Sequence, residues 1–190
     1  LALKSDGTVW AWGGNWAGQL GDGSHWNRKT PVQVRDISDV TAIASRHVHC
    51  LALKSDGTVW AWGGNEYGQL GDGTTTNKST PVQVNDISEV TAVACGDEHS
   101  LVLKSDGTVW AWGANWDGQL GDGTNTNRNT PAQVNGISDI VAIAAGWSYN
   151  LALKSDGTVW AWGKNDYGQL GDGTTTNRNT PIQVSNISNV

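Results

Sequence analysis

His47, His49 and Cys50 crowd into one short stretch, and Asp97 and Glu98 stand at the corresponding place one repeat further on. Imidazole and thiolate donors so close together suit a soft divalent metal, and the two carboxylates would add oxygen ligands. The same stretch is the one place where titratable residues occur in a combination found only once. It lacks the oriented third group that would turn a nucleophile and a base into a catalytic set. His49 and His99 share one repeat position with Tyr149, which favours a structural hydrogen bond over metal ligation. The Asp-Gly-Thr-Thr-Thr-Asn run at 72–77 lacks the alternating acids and final Glu of a calcium loop, and reads as a polar turn. Gly-Gln-Leu-Gly-Asp-Gly is no phosphate loop either, because no Gly-Lys-Ser/Thr and no helix follow it. Asp6, Asp22 and their counterparts recur in every copy as turn acids, whereas a catalytic pocket should break the repeat. The chain is therefore expected to be no enzyme and to carry no metal or cofactor.

The elements that hold these residues are written as one sentence repeated. Leu-Ala-Leu-Lys-Ser-Asp-Gly-Thr-Val-Trp-Ala-Trp-Gly begins at Leu1, Leu51 and Leu151, and at Leu101 with the single change Val102. A fixed period of this size marks a propeller or a solenoid. The chain is read as a single repeat domain over 1–190, with repeats 1–50, 51–100, 101–150 and an incomplete 151–190. It opens in mid-repeat and has no Met, so it is expected to be a section of a longer or processed polypeptide. Positions identical in all copies build the repeat; positions that differ are candidates for function.

Within the second copy and its lead-in, Thr41–Ala44 is short and β-branched and predicts an inner strand, and His49–Lys54 predicts the next. Ser55-Asp56-Gly57 predicts a hairpin turn, Asp tolerating the left-handed region and Gly supplying positive φ. Thr58–Trp62 returns, apolar on both faces, as a strand covered on both sides must be. After a Gly-rich excursion, Pro81 is expected to open a fourth, outer strand ending at Val84. The chain is thus expected to be all-β, a propeller of four-stranded blades, rather than a β-solenoid, whose coils are shorter. The eight paired tryptophans, Trp10/Trp12 and their counterparts, are assigned to the blade core. Cys50 and Cys95 fall at different repeat positions, so they read as two small thiols and not a disulfide framework.

The formal net charge is −6, with 12 Lys+Arg against 18 Asp+Glu and no basic run, which argues against a nucleic-acid partner. No apolar stretch approaches the roughly 20 residues of a membrane-spanning helix, so no membrane partner is expected. An extracellular or cell-surface setting is favoured over a cytoplasmic one.

Gly68–Gly73, the Ala-x-Gly-x-x-His-Ser stretch at Ala94–Ser100 and the Leu-Ala-Leu-Lys hairpin resemble the repeat of the regulator of chromosome condensation family, in a bacterial-type tandem form. The resemblance covers the whole chain. It implies a seven-bladed propeller, of which four repeats would be a section; alternatively, two copies would pair into an eight-bladed ring. Some bacterial relatives are similar inhibitors of secreted enzymes such as β-lactamases, acting through an aromatic-rich face. Eukaryotic relatives exchange nucleotide on a small GTPase and bind chromatin.

The remaining tryptophans sit where the copies differ. Trp16 and Trp116 are matched by Glu66 and Asp166, and Trp26 faces threonines. The most variable patch contains Arg46, His47, Asp97, Glu98, Trp147 and Tyr149. Loop aromatics on a rigid scaffold are typical protein-contact anchors. These nine residues are the expected partner-binding set of a non-enzymatic protein-binding scaffold. Tryptophan faces beside Asn/Asp/Thr-rich loops also suit a carbohydrate-binding lectin. A third reading is an amplified or engineered repeat whose copies self-associate to close a ring.

Overall fold

The computed structural model describes residues 1–188 and 190. These residues contain strands and turns but no helix, and the strands form four antiparallel sheets in which sequence neighbours pair. The first sheet has three strands: β1 (Ala2–Leu3), β2 (Val9–Gly13) and β3 (Arg28–Gln33). The second has four, running from the inner edge outward: β4 (Val40–Arg46), β5 (His49–Lys54), β6 (Val59–Gly63) and β7 (Lys78–Gln83). The third repeats this as β8 (Val90–Cys95), β9 (His99–Lys104), β10 (Val109–Gly113) and β11 (Arg128–Gln133). The fourth contains β12 (Ile140–Ala145), β13 (Tyr149–Lys154), β14 (Val159–Gly163) and β15 (Arg178–Gln183). Each full sheet is a blade, and each begins about ten residues before the Leu-Ala-Leu-Lys motif of its repeat.

Local chemistry sets the turns. Between β5 and β6, Lys54 N–H donates to the Thr58 carbonyl at 3.0 Å, and Gly57 takes φ +78°. Asp56 does not enter the left-handed region as the sequence suggested. Its carboxylate instead accepts from Thr58 N–H at 3.0 Å and from the Thr58 hydroxyl at 2.6 Å. That side-chain bridge explains why the turn needs Asp-Gly-Thr in every copy.

The outer strand departs from the sequence reading. β7 starts at Lys78, ahead of Pro81, because the register passes from Ala61↔Val82 to Gly63↔Lys78. Ser79, Thr80 and Pro81 therefore bulge opposite Trp62, on an edge strand where the missing N–H of proline costs no ladder bond.

The sheets stack face to face, and the second tryptophan of each pair locks one to the next. Trp112 is fully buried among Leu51, Leu53, Val59, Leu70 and Val84 of the preceding blade. Trp162 and Trp62 do the same against the third and first sheets. Their indole N–H groups donate to the Gln19, Gln69 and Gln119 carbonyls at 3.1, 2.9 and 3.0 Å, respectively for Trp62, Trp112 and Trp162. Gly71 (φ +69°) is required here, because a Cβ would lie 2.7 Å from the Trp112 Nε1. Trp12, in the first sheet described, is 49% exposed. The first tryptophan of each pair is a different case: Trp10, Trp60, Trp110 and Trp160 are only half-buried, and Trp60, Trp110 and Trp160 pack against the buried clusters from their margin. Lysine ammonium groups lie 5.7–6.0 Å above three of these rings, those of Trp10, Trp60 and Trp110.

Candidate functional site: one end of the blades

The β4–β5 turn and the long β6–β7 loop leave the blade at the same end, since the intervening β5 and β6 run antiparallel. All the variable residues singled out in the sequence lie at this end, and the Asp-Gly hairpins lie at the other.

The long loop is internally braced. Asn65 donates through Nδ2 to Asp72 Oδ1, the Thr74 carbonyl and the Thr76 carbonyl at 3.2, 3.2 and 3.1 Å, and accepts from Leu70 N–H at 2.9 Å. Gln69 Oε1 accepts from Tyr67 N–H at 3.0 Å. Burial pushes the Asp122 pKa up, but hydrogen bonds from Thr124 and Arg128 outweigh it and hold the carboxyl below its ordinary range. The invariant Gly-Gln-Leu-Gly-Asp-Gly segment is thus a frame, and the residues at positions 16–17, 66–67, 116–117 and 166–167 are its tips.

The aromatic side chains at this end are exposed: Trp16 by 62%, Trp26 by 76%, Trp116 by 51% and Trp147 by 64%. Tyr67 meets Trp116 of the next blade edge-on, with ring centroids 4.5 Å apart at 81°. Tyr167 is the most exposed aromatic, at 91%. Tyr67 and Tyr167 were not in the expected set. Their signal was their alternation with Ala17 and Asp117 beside the variable tryptophan position.

Nearer the inner strands, Arg46 Nε donates to Asp97 Oδ1 at 2.9 Å, and Asp97 N–H donates to the Trp147 carbonyl at 3.1 Å. Turns of three consecutive blades are thereby tied together. His47 occupies a left-handed position (φ +51°) and lines a cavity of about 120 Å³ with Trp16, Val48, Glu66, Tyr67 and Glu98. Tyr149 is only half-buried, but its ring lies over Gly146, where an added Cβ would stand 2.3 Å from it.

His47, His49 and Cys50 line one cavity, but His49 and Cys50 direct their polar atoms to neighbouring blades. His49 Nε2 lies 3.2 Å from Ser100 Oγ, and that hydroxyl donates to the Gln69 carbonyl at 2.7 Å, so it accepts from the imidazole. His99 Nε2 lies 2.8 Å from Asn150 Oδ1, and Asn150 Nδ2 donates to the Gln119 carbonyl at 2.7 Å. Burial pushes the two imidazoles down to about 3 (His49) and about 4 (His99), so both are neutral above acid pH. Cys50 fills the Ser100/Asn150 position, its thiol donating to the Gln19 carbonyl at 3.4 Å. Burial pushes that thiol up to about 12, far from the thiolate that a metal or a nucleophilic attack would require. Among the described residues, no three His, Cys, Asp or Glu side chains come together as a metal set. Cys50→Ser should therefore raise stability by about 0.5–1 kcal/mol, a hydroxyl being the better donor. Thermal unfolding under reducing conditions measures this, and a lowered midpoint would show that thiol packing outweighs the bond.

A model of the RCC1-like domain matches residues 1–190. The chain belongs to the RCC1-like domain family. Human WBSCR16 superimposes with a TM-score of 0.86 at 28% identity, covering 96% of this chain and 50% of that one. Prp20p of Saccharomyces cerevisiae, studied for its binding to Gsp1p and histones, gives 0.79 at 25% identity, covering 97% of this chain and 48% of that one. Yeast RCC1 (Prp20) bound to Kap60 gives 0.84 at 24% identity, with coverage of 97% and 46%. The chain spans about half the length of these solved structures. No curated protein matches it. The four sheets are blades of an RCC1-type propeller.

Proposed function

We propose that this RCC1-like section is a non-enzymatic protein-binding scaffold whose contact surface is the loop end of its blades. The observation that carries the reading is the row of exposed aromatics, Trp16, Trp26, Trp116, Trp147 and Tyr167, on loops held by buried hydrogen bonds. An interface anchored by aromatic rings loses little entropy when the rings are already positioned. Protein partners of family members support the reading: yeast RCC1 (Prp20) has been solved bound to Kap60, and its binding to Gsp1p and histones has been studied.

The test is capture of a protein partner by immobilised wild-type chain, repeated with Trp16→Ala plus Trp116→Ala. Both rings are half or more exposed, so the double variant should unfold at the wild-type temperature while binding falls at least about tenfold. Undiminished binding would move the contact surface elsewhere. Unfolding of the double variant would return these rings to the scaffold.

A second reading concerns the outward faces of the first and fourth sheets. Trp12 stands exposed where its three counterparts are buried, and Leu151, Leu153 and Val159 are half-covered where Leu51, Leu53 and Val59 are buried. Gln169 holds the place of the carbonyls that receive the inner indoles. These faces suit one more junction of the same kind, and sedimentation of the 190-residue chain with and without Trp12→Glu tests whether a second copy supplies it. A monomer in both cases would dismiss association between copies.

A further inference from the structure

The cavity between the first three blades carries an unbalanced charge. Glu98 is half-buried in it, and Glu66 stands on its rim. Neither carboxylate has a salt bridge or hydrogen bond among the described residues, whereas Asp97 next to them is taken by Arg46. Trp16 and Tyr67 form aromatic walls of the same cavity, Tyr67 backed edge-on by Trp116. Its remaining polar lining is His47, Gln69 and Asn77, and no lysine or arginine lines it. Burial raises the Glu98 pKa, with the nearby Asp97 and Glu66 charges adding to it and His47 opposing them.

We propose that this cavity is a receptor for one cationic side chain, arginine or lysine, presented by the protein partner. The inference rests on the scaffold reading and names what its surface recognises. A volume of about 120 Å³ suits a guanidinium or ammonium group, and excludes a folded loop or a sugar chain. Aromatic faces attract a cation through their quadrupole, most strongly where it is partly desolvated. Carboxylates at the cavity floor and rim then complete charge-assisted hydrogen bonds. A neutral hydroxylated ligand would leave both carboxylates desolvated and unpaired, which is why the charges favour the cation over carbohydrate. The formal net charge of −6 draws such a partner in the same direction.

The probe is a capped Gly-Arg-Gly peptide, compared with the same peptide carrying citrulline, which keeps the shape and removes the charge. Titration of the 15N-labelled chain, read at the Trp16 indole N–H resonance, should give a saturable shift with the arginine peptide. The citrulline peptide should bind about five- to tenfold more weakly. Glu98→Gln should weaken the arginine peptide by a similar factor, and Glu66→Gln, at an exposed rim position, should weaken it by less. The buried Trp62, Trp112 and Trp162 indole signals report that each variant remains folded. Equal shifts with citrulline, no saturable shift with arginine, or a Trp16 shift by a neutral oligosaccharide in place of the peptide would each overturn the cation site. If a captured protein partner still depends on Trp16 and Trp116 while the arginine peptide fails, the cation inference falls and the scaffold stands. If neither dependence is found, both fall.

Discussion

Trp112→Ala should lower the unfolding free energy by about 3–5 kcal/mol, while Trp12→Ala, at the identical repeat position, should cost roughly a third of that or less. The contrast comes from what each ring touches. Trp112 is fully buried between two blades, and its indole N–H is held at 2.9 Å by the Gln69 carbonyl. Removing it leaves an apolar cavity lined by Leu51, Leu70 and Val84, and takes from that carbonyl one of its two donors, the Ser100 hydroxyl remaining. The Gly71 that was needed to admit the ring cannot refill the space. Trp12 is 49% exposed in the 190-residue chain, so truncation there removes little buried contact. Urea titration followed by far-ultraviolet circular dichroism measures both. In a stacked array, stability is close to a sum of blade and junction terms, so Trp112→Ala should also broaden the transition by uncoupling the blades on either side. Equal costs for the two variants would show that the junction tryptophans contribute through their own sheet and not through the blade they enter.

Identity between copies made the strands legible, and the turn chemistry came with them. His49–Lys54 forms the strand expected, and Thr41–Ala44 needed extension only to Val40–Arg46. Pro81 misled because a proline reads as a strand opening, when a bulge on an edge strand admits it mid-element. Repetition alone could not separate the two tryptophans of each pair. Both recur in every copy, yet Trp62 fills a neighbour while Trp60 lies half-exposed beneath Lys54. The site shows the same limit. Variation between copies pointed to Trp16 and Trp116, but nothing local says that Tyr67 reaches the next blade to support Trp116. It also drew attention to Tyr149 and to His49–Cys50, whose side chains turn inward onto Gly146, Ser100 and the Gln19 carbonyl. For His49 the deciding contact is made by the neighbouring blade, some fifty residues away in the chain.

Lowering the pH from 7.5 to 4.5 should cost the fold on the order of 3–5 kcal/mol through two histidines. In the unfolded chain a histidine takes up its proton near pH 6.5. In the folded chain burial depresses His49 to about 3 and His99 to about 4, each imidazole donating Nε2–H to the next blade while its Nδ1 has no partner. Below pH 6.5 the unfolded state therefore binds protons that the folded state refuses. Stability is complete above that pH, falls as pH drops toward 4, and stops falling on account of these groups below about 3. The carboxylates act in a lower window. Hydrogen bonds from Thr8 hold Asp6 at about 2, and Asp172 is held lower than its ordinary range by Arg178 and Thr174 against the opposing effect of burial. Their protonation weakens the fold only as pH passes below about 4. Glu98, raised by burial, works in the opposite sense and slightly offsets the loss. The variant that isolates the effect is His99→Tyr, which copies the Tyr149-over-Gly146 arrangement onto Gly96. Its stability at pH 7.5 should fall, because Asn150 Oδ1 loses its donor. The further loss between pH 7.5 and 4.5, measured by urea titration at each pH, should shrink to about half that of the parent. An undiminished pH loss in the variant would mean that the acid sensitivity arises outside these buried imidazoles.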